Sequence, residues 1–384
     1  MKEGRGVKRI AHFFLVSVIF LIIAYMQPII FPDDRAPKPL DIGSEVPDEK
    51  GQKFMQGKVS STGLSQYIGQ KAEAFVQNFG EPIEIQEVDN TSSWWIFGED
   101  GSDYLQLLIE DKVIQSIFVL GTGIECDYFN IGMTLHEMSS VTTLYSNFSF
   151  QQSGKDYVVE LTEKDMSTQP LVAFDNESFA ILHIDGESEK VTGIRYLNTA
   201  SLLSLMPYNL QEGELPESKN NESDVSEVSQ RHLERQFFSL VNLIREREGK
   251  EIFVANGQLF LDSSELLTSF LDEKETYLEK EALEELALQR NIQTYRQPFY
   301  LTQKEIEKIA KENKISLDNT YGLAYTPTRD IPYMLMQWYG KLLPHLPLNQ
   351  IEQGEIGVSF KDDFILLMLR ESPSEETATS DEGK

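Results

Sequence analysis

The longest apolar run in the chain lies close to its N-terminus, over residues 10–31. This stretch, IAHFFLVSVIFLIIAYMQPIIF, has 22 residues and contains no acid, lysine or arginine. At about 1.5 Å per residue, a helix of this length spans the roughly 30 Å hydrocarbon core of a bilayer. The pattern therefore predicts a transmembrane helix.

Charges on either side of this run predict its orientation. Four basic residues and one acid precede it, whereas Asp33 and Asp34 follow it. The positive-inside rule then keeps the N-terminus in the cytoplasm and places the rest of the chain outside. Tyr25 and Met26 are bulky where signal cleavage needs small residues, and the run is longer than a cleavable h-region. An uncleaved anchor is therefore favoured over secretion after cleavage.

Residues 62–207 show a helical pattern followed by strand patterns, and they do so twice. An Ile-Gly pair precedes a helical segment at residues 68–69 and again at 131–132, which is 63 residues later. Apolar runs separated by turn residues are typical of antiparallel strands. They cover residues 94–97, 104–109 and 113–120, then 157–161, 171–174, 179–184 and 191–196. We therefore predict an α+β domain made of two repeats, about 62–125 and 126–207.

Residues 231–371 are predicted to form a second domain. Its first helix buries one face, because apolar residues recur at helical spacing. They are Leu233, Phe237, Leu240, Val241 and Ile244. Further helices are predicted over residues 265–272, 276–289 and 302–313, the first with Ser263 and Ser264 as an N-cap signature. A closing strand is predicted over residues 364–369.

Polar segments separate these parts. Residues 32–61 contain four prolines among charged residues and predict an extended tether after the basic segment and anchor of residues 1–31. Residues 208–230 are polar and acidic, which predicts a linker. Residues 372–384 are predicted to be a disordered tail.

The charge of the chain restricts its partners. The formal net charge is −28, and because the first nine residues carry +3, the exported part carries about −31. Such a surface repels nucleic acid and anionic lipid headgroups, and no basic patch offsets it. The single cysteine, Cys126, cannot form an intramolecular disulfide, so we expect a small buried side chain and a fold held by packing alone. This suits the exterior of a Gram-positive bacterium.

Several short motifs of the first domain occur in a recognisable order. Ile68-Gly69 precedes an amphipathic helix that Gly80-Glu81-Pro82 ends, Trp94-Trp95-Ile96-Phe97 and an apolar hairpin follow, and Ile131-Gly132-Met133 precedes the second helix. Over about 140 residues this order resembles the CAP-associated N-terminal domain. That domain precedes a CAP (cysteine-rich secretory, SCP-like) domain in exported bacterial proteins of the YlbC type. The resemblance implies no catalytic residue in this domain.

The second domain resembles the CAP domain itself. The segment Val241-Asn242-Leu243-Ile244-Arg245, followed by Gly249, resembles the opening Val-Asn-x-x-Arg…Gly of that family. Trp338, His345 and Ile356-Gly357-Val358-Ser359 then follow in the family's order. The resemblance implies a CAP-like α-β-α sandwich.

The same resemblance implies a cleft with two histidines and two acids, a set that can hold a divalent cation. His345 is the one residue that fits such a position, although the family's flanking serine and arginine are missing. Residues 319–325, where the family has a glutamate, contain none, and residues 289–300 contain no histidine. We therefore expect a degenerate CAP domain without metal, cofactor or catalytic residues, and with His345 as the sole candidate binding residue.

No other catalytic pattern replaces the missing cleft. The sequence contains no Walker loop, GxSxG or HExxH motif, and the glutamates at 279, 281, 284 and 285 read as a solvated helix face. The favoured function is a membrane-anchored, extracytoplasmic, non-enzymatic protein that contacts an envelope component or a protein partner, and no nucleic acid. Two alternatives stay open. One is a binder of a small apolar ligand or lipid in a groove lined by residues 325–339, and the other is a cell-envelope hydrolase.

Overall fold

The computed structural model describes residues 56–88, 90–214, 227–291, 298–328, 330–342, 348 and 350–372. The predicted anchor, residues 32–55 of the predicted tether and the predicted tail beyond residue 372 lie outside these ranges. Among the described residues, no helix is both long enough and apolar enough to cross a membrane.

Residues 56–214 fold into an N-terminal domain of sheets and short helices. Its strands are β1 (Glu84–Glu87), β2 (Ser92–Phe97), β3 (Leu105–Glu110), β4 (Val113–Val119), β5 (Asn147–Gln152), β6 (Lys155–Glu160), β7 (Leu171–Ala173), β8 (Phe179–Ile184), β9 (Val191–Leu197) and β10 (Asn209–Glu212). Its α-helices are α1 (Ala72–Phe79), α2 (Leu135–Val141), α3 (Glu163–Thr168) and α4 (Thr199–Leu205). A seven-stranded antiparallel sheet has the order β1-β2-β3-β4-β9-β8-β7, and a smaller sheet has the order β10-β6-β5.

The two repeats meet in the large sheet where β4 pairs with β9, and each makes a similar contact with its own last strand. In the first half, the Gly69 N–H donates to the Ile114 carbonyl on β4 over 2.8 Å. In the second, the Gly132 N–H donates to the Val191 carbonyl on β9, also over 2.8 Å. Both glycines have positive φ angles, 81° and 89°, which other residues rarely adopt. The repeated Ile-Gly pair therefore makes the same turn against the last strand of each half.

The ends of the domain extend further than the sequence indicated. Residues 56–61 were predicted as tether, but the Gln56 side chain bonds the Ser149 main chain on β5, and the Val59 N–H donates to the Ala173 carbonyl on β7 over 2.8 Å. Residues 208–230 were predicted as linker, but β10 within them pairs with β6, and a helix begins at Glu227. Polar residues mark sheet edges and helix ends as readily as linkers, which explains both differences.

The second domain is built around a five-stranded sheet. Its helices are α5 (Glu227–Arg247), α6 (Gly257–Asp272), α7 (Lys274–Tyr277), α8 (Lys280–Asn291), α9 (Gln303–Glu312) and α10 (Ile331–Gln337), which continues into a π-helical segment, Trp338–Leu342. Its strands are β11 (Val254–Ala255), β12 (Phe299–Leu301), β13 (Thr320–Thr326), β14 (Gly354–Lys361) and β15 (Phe364–Glu371), in the order β11-β14-β15-β13-β12. The predicted α+β class is confirmed.

Helices cover both faces of this sheet. On one face, Phe237 of α5 and Leu335 of α10 pack with Leu367 of β15. On the other, Phe270 of α6 and Ile306 of α9 pack in a separate cluster that includes the alternate residues of β15. The period-two alternation of β15 thus supplies two cores at once.

The predicted N-cap of α6 was wrong. The helix begins at Gly257, and the Asn256 side chain accepts from the Gln258 and Leu259 N–H groups. Ser263 lies inside the helix and is buried, with its Oγ 2.8 Å from the Ser359 Oγ on β14. Serine is favoured at helix caps, but here a hydrogen bond between α6 and β14 satisfies the Ser263 hydroxyl.

Gly357 on β14 allows α6 to lie directly on the sheet. A Cβ at this position would lie 2.3 Å from the Leu259 carbonyl carbon, which is main chain and cannot rotate away. We expect Gly357→Ala to lower the free energy of unfolding by about 1–3 kcal/mol in urea denaturation, because the helix must shift. Gly257→Ala is the control, since a Cβ there meets nothing within 4 Å. Equal losses in both variants would contradict this account.

Candidate functional site

The predicted binding residue His345 lies outside the described residues, but its expected surroundings are partly visible. The stretch where a cleft acid was expected, residues 319–325, leads into β13 and carries no carboxylate. Leu323 and Tyr325 on this strand are buried in the core, and the Tyr325 ring packs edge-to-face on Trp338 at 5.4 Å. Tyr339 is buried as well. These aromatic side chains therefore fill the core.

The other acidic and metal-binding candidates do not converge. The glutamates at 279, 281, 284 and 285 are all exposed, and Glu284 lies 3.5 Å from Lys280. Within the ranges that the structure describes, no three His, Cys, Asp or Glu side chains are grouped closely enough to hold a metal ion.

Cys126 and His183 are buried as neutral groups. Burial raises the pKa of the Cys126 thiol to about 12, with the nearby Asp127 charge adding to the effect. Burial lowers the pKa of His183 on β8 to about 3, and the positive charge of Arg195 lowers it further. The imidazole ring lies 5.9 Å from the Tyr333 ring of α10. Both groups are therefore packing elements at neutral pH.

The family-like motif at the end of α5 holds a loop in place. Asn242 pairs with the main chain of Phe253 through two hydrogen bonds of 3.0 and 2.9 Å. Arg245 is fully buried, lies over the Phe253 ring at 3.8 Å and donates to four main-chain carbonyls. These belong to Glu251, Leu348, Ile351 and Glu352. The motif residues are thus structural, because their polar atoms are used by the fold.

In the described part of the chain, a largely buried polar arrangement lies between the two domains, and we call it the domain seam: Gln106, Gln169, His183, Arg195, Gln236, Asp330, Tyr333 and Gln337. Arg195 on β9 donates to Asp330 at 2.6 Å, with side chains only 1% and 9% exposed. Its guanidinium also lies 4.8 Å from the Trp94 ring. Asp330 in turn accepts from the Tyr333 N–H over 2.8 Å and so caps α10.

Amide side chains extend the domain seam on either side of this ion pair. Gln169 accepts from both Gln337 and the Tyr333 hydroxyl of α10. Gln236 of α5 donates to Gln106 on β3 over 2.6 Å, and both are buried. Gln106 on β3 therefore holds α5, and Gln169 at the end of α3 holds α10.

Apolar side chains from both domains form one cluster around the seam. Ile96, Tyr104, Phe118 and Leu120 of the large sheet pack with residues of α5 and α10. Gly193 on β9 permits this approach, because a Cβ there would lie 2.7 Å from the Met336 sulfur. The sequence shows a charged residue, Arg195, within the apolar strand Val191–Leu197. Its partner Asp330 lies 135 residues away, so no local pattern could identify the ion pair.

Breaking the ion pair should be costly. Arg195→Met leaves the Asp330 carboxylate buried without its cation, so we expect the free energy of unfolding to fall by about 3–5 kcal/mol in urea denaturation. Lys155→Met, which removes an exposed ion pair with Glu214, should change it by less than about 1 kcal/mol. Adding Asp330→Asn to Arg195→Met should recover part of the loss, and no recovery would contradict a dominant role for the unpaired charge.

His183 should make stability depend on pH. The folded-state pKa of about 3 lies below the ordinary value of 6.5, so the unfolded chain binds a proton that the folded chain does not. This contribution is complete above pH 6.5 and is lost as pH falls towards 3. Compared with His183→Phe, wild type should lose up to about 1.4 kcal/mol more per pH unit within that window. Urea titrations at pH 4.5 and 7 measure this, and an equal loss in His183→Phe would contradict it.

Comparisons with known proteins agree with this architecture. Residues 68–208 match the family model of the CAP-associated N-terminal domain. The uncharacterized membrane protein YlbC of Bacillus subtilis is 25% identical over 235 residues, which cover 60% of this chain and 68% of that protein.

Two crystal structures share the fold. One is an extracellular protein containing an SCP domain from Bacillus anthracis, with a TM-score of 0.60, 18% identity, and coverage of 84% of this chain and 100% of that chain. The other is a cysteine-rich secretory protein from Staphylococcus aureus, with a TM-score of 0.60, 17% identity, and coverage of 83% and 95%. Residues 68–208 are therefore a CAP-associated N-terminal domain, and the chain has the fold of SCP/CAP-domain proteins.

Proposed function

We propose that this protein is a membrane-anchored, extracytoplasmic interaction protein of the cell envelope that does not catalyse a reaction. The proposal rests on one observation: the fold uses the residues that a reaction site would need. At the position where the family has a cleft acid, Leu323 and Tyr325 are buried in the core. The side chains of Asn242 and Arg245 donate hydrogen bonds to main-chain carbonyls. An acid–base mechanism needs titratable groups that can reach a substrate.

The location rests on different support. The apolar run at residues 10–31, with basic residues before it, has the length of a membrane span. A relative is named a membrane protein, and a structural relative is described as extracellular. The strong negative charge suits a solvated surface that avoids anionic lipid.

A labelling experiment tests the topology. Cys126 is buried and should react slowly, so single cysteines can be added without removing it. We expect Lys155→Cys, at an exposed position, to react with a membrane-impermeant maleimide on intact cells. Lys8→Cys should react only after lysis. Labelling of both sites on intact cells, or recovery of the chain from the medium without its first thirty residues, would contradict the proposal.

A complementation experiment tests the absence of catalysis. In a strain that lacks the protein, His345→Ala should restore the wild-type phenotype to the same extent as wild type. Arg195→Met should restore it only as far as folded protein accumulates, measured by immunoblot. A loss of function in His345→Ala at normal protein levels would favour the hydrolase.

A further inference from the structure

Ten consecutive residues shortly after α5 carry no charge, although 25% of the residues in the whole chain are charged. We call this stretch, residues 252–261, the apolar segment. Four of its large apolar side chains are exposed to solvent, by 51%, 60%, 36% and 62%: Ile252, Val254, Phe260 and Leu261. Soluble proteins rarely leave such a group uncovered, and an exposed apolar surface usually marks a contact with a protein or a membrane.

The two ends of the apolar segment lie beside the same part of β14. Strand β11, which contains Val254, pairs in parallel with residues 355–356 of β14. The Phe260 main chain lies over the next residue of that strand, Gly357, where a Cβ would be 2.4 Å from the Phe260 nitrogen. Successive residues of a strand are only about 3.3 Å apart. The two pairs of exposed side chains therefore belong to one local surface.

Hydrogen bonds within the protein already use main-chain groups of the apolar segment. Phe253 exchanges two hydrogen bonds with the Asn242 side chain. The Asn256 N–H donates to the Ile356 carbonyl over 2.9 Å. The side-chain oxygen and the carbonyl of Asn256 then accept from three N–H groups at the start of α6, those of Gln258, Leu259 and Phe260. A main chain bonded in this way can leave water at little cost, whereas an unbonded polar group in an apolar medium is costly.

The composition of the apolar segment favours lipid over a protein partner. Side chains that dominate binding between proteins are enriched in Trp, Tyr and Arg, whereas Leu and Val are under-represented among them. The segment contains no Trp, Tyr or Arg, and its exposed side chains are aliphatic apart from one phenylalanine. A second copy of the chain is disfavoured because each copy has a net charge of −28. Lipid acyl chains accept apolar side chains without requiring a matching shape or charge.

The length of chain before the described residues allows the apolar segment to reach a bilayer. Residues 32–55, 24 in number, separate the predicted membrane span from Gln56, the first described residue. A chain of that length spans at most about 80 Å. A folded body of this size is roughly 50 Å across, so any of its faces can reach the bilayer. A short tether also keeps the body at a local concentration on the order of millimolar, which makes a weak contact effective.

We propose that the apolar segment rests at the surface of the membrane to which the chain is anchored, with its four exposed side chains inserted among the lipid acyl chains. Glu251 and Asp262, which flank the segment, remain on the water side and limit the depth of insertion. Because these acids and the net charge repel anionic headgroups, the contact weakens as the fraction of anionic lipid rises. The inference rests on the proposed membrane anchor and names the surface that the anchored domains contact.

Quenching by spin-labelled lipid tests this contact. The full chain with Val254→Cys is labelled with a nitrobenzoxadiazole fluorophore and reconstituted into phosphatidylcholine vesicles that contain doxyl-labelled phosphatidylcholine. Cys126 is buried and should take up little label, and the chain without an added cysteine measures that background. We expect the doxyl lipid to quench the label at position 254. Quenching should be at least roughly threefold weaker for a label introduced by Lys155→Cys, at an exposed site of the N-terminal domain.

A charge within the apolar segment should disrupt the contact. In the chain that carries Val254→Cys, Leu261→Asp should reduce the quenching roughly threefold, because a carboxylate among acyl chains is costly. The matched control is Leu288→Asp, since Leu288 is 60% exposed, Leu261 is 62% exposed, and α8 lies outside the segment. This control should leave the quenching unchanged. Replacing phosphatidylcholine by phosphatidylglycerol should weaken the quenching at low salt, and high salt should restore it.

Several outcomes would overturn the proposal. Equal losses of quenching in Leu261→Asp and Leu288→Asp, or stronger quenching in phosphatidylglycerol, would do so. Shielding of the label only in native membranes that retain their proteins would assign the apolar segment to a protein partner instead. Flotation of the vesicles in a density gradient tests the anchor separately. A chain that does not float overturns the proposed anchor and this inference with it, whereas flotation without quenching at position 254 overturns this inference alone.

Discussion

The buried ion pair of Arg195 and Asp330 joins the two domains into one folded body. Removing two charges from water is costly, and the cost is offset only when each charge meets its partner at short range. Because the Arg195–Asp330 distance is 2.6 Å, the ion pair fixes β9 close to the first turn of α10. The apolar cluster shared by the large sheet and the helices α5 and α10 then supplies the bulk of the burial, while the charges determine which surfaces meet.

This arrangement explains the composition of the seam. An interface between domains that move apart must remain soluble when open, so it is usually polar and modest in area. Here aromatic and aliphatic residues from both domains share one cluster, and the polar groups within it, such as Gln106 with Gln236, are paired across the boundary. The CAP-associated N-terminal domain is therefore an integral part of the folded structure, because its large sheet packs against α5 and α10 of the second domain.

The strength of local patterns determined which parts of the fold could be predicted. The bounds predicted for β8 match the structure, and those for β4 differ by one residue, because turn residues flank both strands in the sequence. β1, β5 and β10 were missed because they are short or polar at the sheet edges. The apolar face of α5 was predicted, whereas its N-terminal turn was assigned to the linker. The motif that contains Asn242 and Arg245 was noted only as a family resemblance. Its structural role could not be predicted, because three of the carbonyls that Arg245 binds lie more than 100 residues further along the chain.

The attachment of Gln56 and Val59 has a geometric consequence. These residues enter the domain beside β5 and β7, at the end of the large sheet farthest in strand order from β1. Six strand spacings separate the two edges, which is roughly 30 Å measured across the ladder. The first described residues of the chain thus occupy the rim of the domain opposite β1.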